Sequence, residues 1–291
     1  MQHYGKITIH FDGEIITNHE IPLHVLAKTL TKLEAAINRA YLVVKRGTAE
    51  KHRRMGKNDY PAITFLIGKS SDGGYILDLA ANTPIGKTVI SYIGDCLSHV
   101  IDNLNSDMDT ESYSLSDQLN DHKKTFDLKT NIQTYEEFHK NNNENNIHYA
   151  TKSILKEFPE FLIFIEQKDK YGENYFDITF EGKETIKVSF DAQKAALFKQ
   201  VIREVHLAPP VLYEGTIQSL NKQTKAAKFV NKTTKRVVML KILTDEDFIK
   251  VHPYLIDEDG IRFYGCPLVE YGSIDTIGGD IYFLDLANTA E

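Results

Sequence analysis

The chain has 291 residues, 42% of them hydrophobic and 26% charged, with a formal net charge of −7. That balance excludes a wholly disordered chain and disfavours non-specific nucleic-acid binding through total charge. No run approaches the roughly 18 apolar residues of a membrane helix, the first residues lack the apolar core of a secretion signal, and Cys96 and Cys266 make no disulfide framework. A soluble, cytoplasmic protein with buried, reduced thiols and no membrane partner is expected.

Along residues 6–11, Ile7, Ile9 and Phe11 alternate with polar neighbours, the period of a half-buried strand. Asp12-Gly13 signals a turn, and 14–17 are expected to return as a short second strand. Pro22 suits the first turn of a helix. Leu26, Leu30, Leu33, Ala36, Ile37, Ala40 and Tyr41 then recur at steps of three and four, predicting an amphipathic helix over 23–44 with Gly47 as its stop. Residues 60–68 and 75–80 read as a hairpin across a Gly/Ser turn, and a second helix is expected over 87–104.

Residues 105–146 are polar and Asn-rich, the composition of a linker carrying one or two short polar helices, such as one over 135–140. A middle segment, 147–208, is expected to pack with the N-terminal segment 1–104. It reads as a helix over 147–158, a hairpin of 160–167 with 174–180, a strand over 185–190, and a helix over 192–205 capped by Asp191. Pro209-Pro210 marks a boundary. Five closely spaced strand signals follow over 211–291, interrupted by one helix that Thr244 caps. The expected fold class is α+β: an N-terminal antiparallel sheet with helices on one face, then a small β-barrel of the OB or SH3-like kind.

Ala81-Asn82-Thr83-Pro84-Ile85-Gly86-Lys87-Thr88 matches a relaxed phosphate-binding loop. In that alternative, Gly86 lends its amide, Lys87 reaches the β- and γ-phosphates, and Thr88 holds Mg²⁺. Against it, Ala81 stands where the motif has glycine and Pro84 removes one N–H. The strand before it is also expected in a hairpin, not in a parallel sheet. The competing reading is a helix start, with Thr83 as cap and Pro84 in the first turn.

Two basic clusters stand out. Lys45, Arg46, Lys51, His52, Arg53, Arg54 and Lys57 fall in the loop after the first helix, where they would grip phosphates or an acidic partner. Lys222, Lys225, Lys228, Lys232, Lys235, Arg236 and Lys241 crowd one hairpin of the barrel, and no acid occurs between Gln218 and Lys241. A basic barrel face suits single-stranded nucleic acid. Phe229 is the only aromatic in the run, and lysine favours phosphate contact over base reading. The plainer reading is a charged edge that resists aggregation.

No metal or cofactor is expected. The eleven histidines show no HExxH or CxxC…H spacing. Asp107, Asp109 and Glu111 open like a calcium loop, but Ser112 and Gln118 stand where that loop needs Gly and Glu. Glu166 and Lys168 have the acid-x-Lys spacing of metal-dependent nucleases, a second enzymatic alternative that lacks its further acid.

Ile7-Thr8-Ile9-His10-Phe11-Asp12-Gly13, Ile21-Pro22-Leu23-His24-Val25-Leu26-Ala27-Lys28-Thr29-Leu30 and Asp72-Gly73-Gly74-Tyr75 resemble a family of uncharacterised bacterial and prophage proteins. The family usually has Gly-Ser-aromatic where Gly73-Gly74-Tyr75 stands. The stretch from Gly215-Thr216-Ile217 through Phe263-Tyr264-Gly265 looks like the appended barrel of such proteins. The resemblance covers about two-thirds of the chain. It implies a setting near mobile elements or phage-defence genes, and no catalytic residue. The expected function is a non-enzymatic binding or adaptor protein, in phage defence or counter-defence, acting through protein assembly or through the basic hairpin. The alternatives are the two enzymes named above and a structural subunit of a homo-oligomer or complex.

Overall fold

A computed structural model describes residues 4–47, 54–68, 74–102, 104, 114–126, 132–142, 149–150, 153–256, 259–270 and 273–287. In chain order the elements are β1 (Gly5–Gly13), α1 (Leu23–Arg46), β2 (Phe65–Ile67), β3 (Tyr75–Ala81), α2 (Pro84–Asp102), α3 (Leu115–Thr125) and α4 (Tyr135–Asn141). Next come α5 (Phe158–Glu166), α6 (Lys168–Tyr171), β4 (Asn174–Glu181), β5 (Thr185–Phe190), α7 (Ala192–Arg203) and β6 (Val205–Leu207). The last are β7 (Val211–Asn221), β8 (Ala226–Asn231), β9 (Val237–Lys241), α8 (Asp245–Val251), β10 (Ile261–Glu270), β11 (Ser273–Ile274) and β12 (Ile281–Leu286). They form two compact units: the described residues of 1–108 with 150–203, and those of 109–149 with 204–291.

The first unit is built on an antiparallel five-stranded sheet in the order β2-β3-β1-β4-β5. The alternation in β1 sets its inner face. Ile7, Ile9 and Phe11 are fully buried, opposite Leu79, Leu77 and Tyr75 of β3 and Phe180, Ile178 and Phe176 of β4. Each such side chain contributes roughly 1.5–3 kcal/mol on burial. On the other face Thr8 Oγ1 donates to Asp78 at 2.7 Å, and Lys187 pairs with Asp177 at 2.9 Å. The central pair β1–β4 joins segments far apart in sequence.

Two expectations about local structure fail. Residues 14–17 form no second strand, only an isolated Thr17–Glu20 bridge. Ile15 turns inward instead, its N–H donating to Asn174 Oδ1 at 2.7 Å. Of residues 160–167, read as a strand, 160–166 belong to α5 and Gln167 caps it, and β4 pairs with β1 and β5. Phe158, Phe161, Leu162 and Ile165 are buried at helical spacing. A short apolar run carries no period that separates a buried helix from a strand; Pro159 in the first turn was the available sign.

The second unit is a closed five-stranded barrel. Its strands follow β7-β8-β9-β12-β10 and close by pairing β10 with β7. Every pairing is antiparallel except β9 with β12. Tyr213, Ile217, Phe229, Leu240, Phe263 and Phe283 fill the core, with the rings of Phe229 and Phe263 edge-on at 5.1 Å. Thr244 caps α8, its Oγ1 accepting from Asp247 N at 3.1 Å.

Within 105–146, read as a linker, α3 and α4 belong to this unit. Tyr135 and Phe138 of α4 join the barrel core. Leu119 of α3 packs with Leu207, Cys266, Leu268 and Leu284. Lys123 bonds the buried carboxylate of Asp247. Polar residues dominate these helices, and a few apolar ones anchor them. Among the described residues no helix is long and apolar enough to cross a membrane.

Candidate functional site

The barrel's basic hairpin is built from a repeated turn. The loop from β7 to β8 is Asn221-Lys222-Gln223-Thr224-Lys225, and the loop from β8 to β9 is Asn231-Lys232-Thr233-Thr234-Lys235. Asn221 Oδ1 accepts from the amides of Gln223 and Thr224 at 2.9 and 3.1 Å. Asn231 Oδ1 accepts from those of Thr233 and Thr234 at 2.8 and 3.2 Å. The last lysine of each turn is left-handed, with φ of 45° at Lys225 and 56° at Lys235. Asn suits the first position because its short side chain replaces a backbone acceptor.

These turns sit at the two ends of β8, and Lys228 stands exposed midway between them, flanked by buried Ala227 and Phe229. A six-residue strand spans about 20 Å, so the lysines form a stripe of that length. Beside it lie Ser219 on β7 and Met239 on β9, both paired with Lys228, and the partners Val230 and Val237. Val237 is 46% exposed.

Glu214 lies near one end of this face and is occupied by Lys232 and Arg262, each at 3.1 Å. Lys225 meets the exposed Asp245 at 3.0 Å, a surface pair worth at most about 1 kcal/mol. Lys222, Lys228, Lys235 and Lys241 carry no ion pair among the described residues. Arg236 is exposed immediately before β9. Sequence reading found the lysines and missed the repeat that places them; the matching pentapeptides were its visible signal.

The other candidates are scattered. Thr83 Oγ1 accepts from Gly86 N at 3.3 Å and donates to the Ala62 carbonyl at 2.8 Å. Pro84 opens α2, and β3 lies between two antiparallel neighbours. A Cβ on Gly86 would stand 2.8 Å from the Ala81 Cβ, so glycine there answers to close packing. Lys87 and Thr88 are exposed on the helix.

Lys45 bonds Asp59 at 2.7 Å, and Gly56 N donates to the same carboxylate. Arg46, Arg54 and Lys57 are exposed; Lys51, His52 and Arg53 lie outside the described residues, as do Asp107, Asp109 and Glu111. Glu166 is held by Lys199 at 2.7 Å, and Lys168 by Glu173 at 2.9 Å, so they do not converge. Burial pushes both thiols, Cys96 and Cys266, up to about 12, far from a reactive thiolate. Among the described residues no three His, Cys, Asp or Glu side chains gather as a metal site.

Comparisons with protein-family models, curated proteins and solved structures find no match for this chain.

Proposed function

We propose that the chain is a non-enzymatic binding protein whose barrel is of the OB type and holds the backbone of single-stranded nucleic acid along β8. Numbered from β7, the strands close in the order first, second, third, fifth, fourth, first, with a helix between the third and fourth. Barrels of that type hold oligonucleotides on the face of the second and third strands and on the loop between the first and second. Those places are β8, β9 and the 221–225 turn. The observation that carries the reading is the stripe of lysines set by two matching turns, in which no acid occurs between Gln218 and Lys241 and Lys222, Lys228 and Lys235 carry no ion pair among the described residues.

Lysine rather than arginine favours phosphate over base edges. Val230, Val237 and Met239 replace the aromatics that stack bases, so binding is indifferent to sequence. The net charge of −7 does not forbid it, because fields beyond about 8 Å are screened at physiological salt.

The test is fluorescence anisotropy with labelled single-stranded DNA and RNA, using wild type and a Lys222→Gln/Lys228→Gln/Lys235→Asn variant. The wild type binds at about 50 mM salt and weakens with a log–log slope of about −0.7 per phosphate contacted. The variant loses at least tenfold and shows a shallower slope. A wild type that ignores both nucleic acids at low salt, or recruits an acidic protein instead, sinks the proposal.

A further inference from the structure

The barrel carries a concavity of about 750 Å³ at the β8–β9 turn, lined from β7, β8, that turn, the residues before and at the start of β10, and the end of β12. That volume lies in the range of small-molecule sites, roughly 300–1,000 Å³. Part of its wall is bare backbone. Gly260 has φ of +86°, and a Cβ there would stand 2.4 Å from the Gly215 carbonyl oxygen. Three cations line it: Lys232 and Lys235 from the second Asn-Lys-x-Thr-Lys turn, and Arg262 from β10. Tyr254, Val230 and Leu286 supply an aromatic and two aliphatic surfaces.

Two acids line it as well. Glu214 lies between Lys232 and Arg262, 3.1 Å from each. Its contact with Arg262 is one of charge only, since the buried Nε there makes no hydrogen bond. Asp259 has its own interaction within the chain. Lys235 has no ion pair among the described residues.

We infer that this concavity receives the terminal, phosphorylated nucleotide of the strand lying along β8. The inference rests on the reading proposed above, because Lys232 and Lys235 belong to both the stripe and the concavity. A phosphodiester inside a strand carries one charge, whereas a terminal monophosphate carries about −1.5 to −2 at neutral pH. Two cations on separate elements, Lys235 and Arg262, favour that more highly charged group. Tyr254 offers the terminal base a ring to stack on, which the β8–β9 face lacks.

The experiment titrates oligonucleotides identical except for their ends, bearing a 5′-phosphate, a 3′-phosphate or hydroxyls at both. Wild type, Lys235→Asn, Arg262→Gln and Lys228→Gln are compared. Asn tolerates the left-handed backbone at 235, so that variant keeps the test valid if Arg262→Gln fails to fold. One terminal phosphate should tighten wild-type binding about tenfold, the worth of a charge-assisted hydrogen bond. Lys235→Asn and Arg262→Gln should erase that preference, and Lys228→Gln should weaken all three ligands alike.

Equal wild-type binding of all three overturns the inference and leaves the stripe standing. If no oligonucleotide binds, the stripe reading fails, and a calorimetric titration with a nucleoside monophosphate decides the concavity. Binding lost in Lys235→Asn upholds it; no binding overturns it.

Discussion

Lys45 shows how a residue chosen for its charge can belong to the architecture. Its ammonium reaches across from the end of α1 to Asp59 and lies 5.4 Å from the centre of the Tyr41 ring. That ammonium, bonded to Asp59, holds the carboxyl below its usual value, with a further contribution from the Gly56 amide. The lysine itself is raised, by the bond to Asp59 first and then by Tyr41. A depressed carboxylate stabilises the fold above its unfolded value of about 3.9, and that contribution is lost as pH falls through the folded value. The raised lysine contributes below about 10.4 and loses its effect as pH rises through the folded value. Asp59→Asn should therefore be less stable than wild type at neutral pH, with the difference closing in acid below about pH 4. Urea denaturation across pH measures this, and a gap that persists in acid would assign Asp59 a role other than its charge. Thr83 is the matching case among polar residues: its reading as a helix cap was available from sequence because capping needs only local spacing. The partner of Lys45 was not, since Asp59 is brought near by the chain after α1.

At the scale of elements, the two Asn-Lys-x-Thr-Lys turns form a natural control. They share sequence, hydrogen bonds and backbone, but Asn231 is 2% exposed and Asn221 is exposed. Removing an acceptor costs most where water cannot replace it. Asn231→Ala should lose about 2 kcal/mol, since its buried side chain makes part-buried bonds to the Thr233 and Thr234 amides, and Asn221→Ala, whose bonds are exposed, under about 1 kcal/mol. Equal losses in chemical denaturation would show that the turn's hydrogen bonds, not its burial, set the cost. The same scale separates what was legible from what was not. The period of β1 and that of α1 were each written over many residues and read correctly. The apolar run of α5 was too short to carry a period, and its neighbours in space, on α1 and α7, were not yet known.

On the scale of the molecule, both units draw on separated stretches of chain, and no local pattern announces which stretches meet. The second unit depends on this most. Tyr135 is 5% exposed, donates its hydroxyl to the Thr276 carbonyl and stacks on His139 at 5.8 Å. Burial pushes its phenol up to about 12, so it stays a donor across the physiological range. Phe138 is buried beside it, Leu119 packs on β10 and β12 residues, and Lys123 neutralises Asp247. A fragment of 204–291 keeps all five barrel strands but loses these contacts. It leaves the buried Asp247 carboxylate with only the more distant Lys250, at 4.0 Å, as its cation, a weakened pairing that costs stability, beside newly exposed aromatic surface. Such a fragment should bind a hydrophobic dye and unfold with little cooperativity. Joining 109–149 to it through a flexible linker in place of 150–203 should restore a single sharp transition with a larger denaturant dependence, because more surface is then buried on folding. If the bare fragment melts as sharply as the joined one, α3 and α4 are accessories and the barrel core is sufficient. If only the joined form folds, the Asn-rich stretch that composition marks as a linker is part of the barrel's own foundation, and nucleic-acid binding should follow the joined form alone.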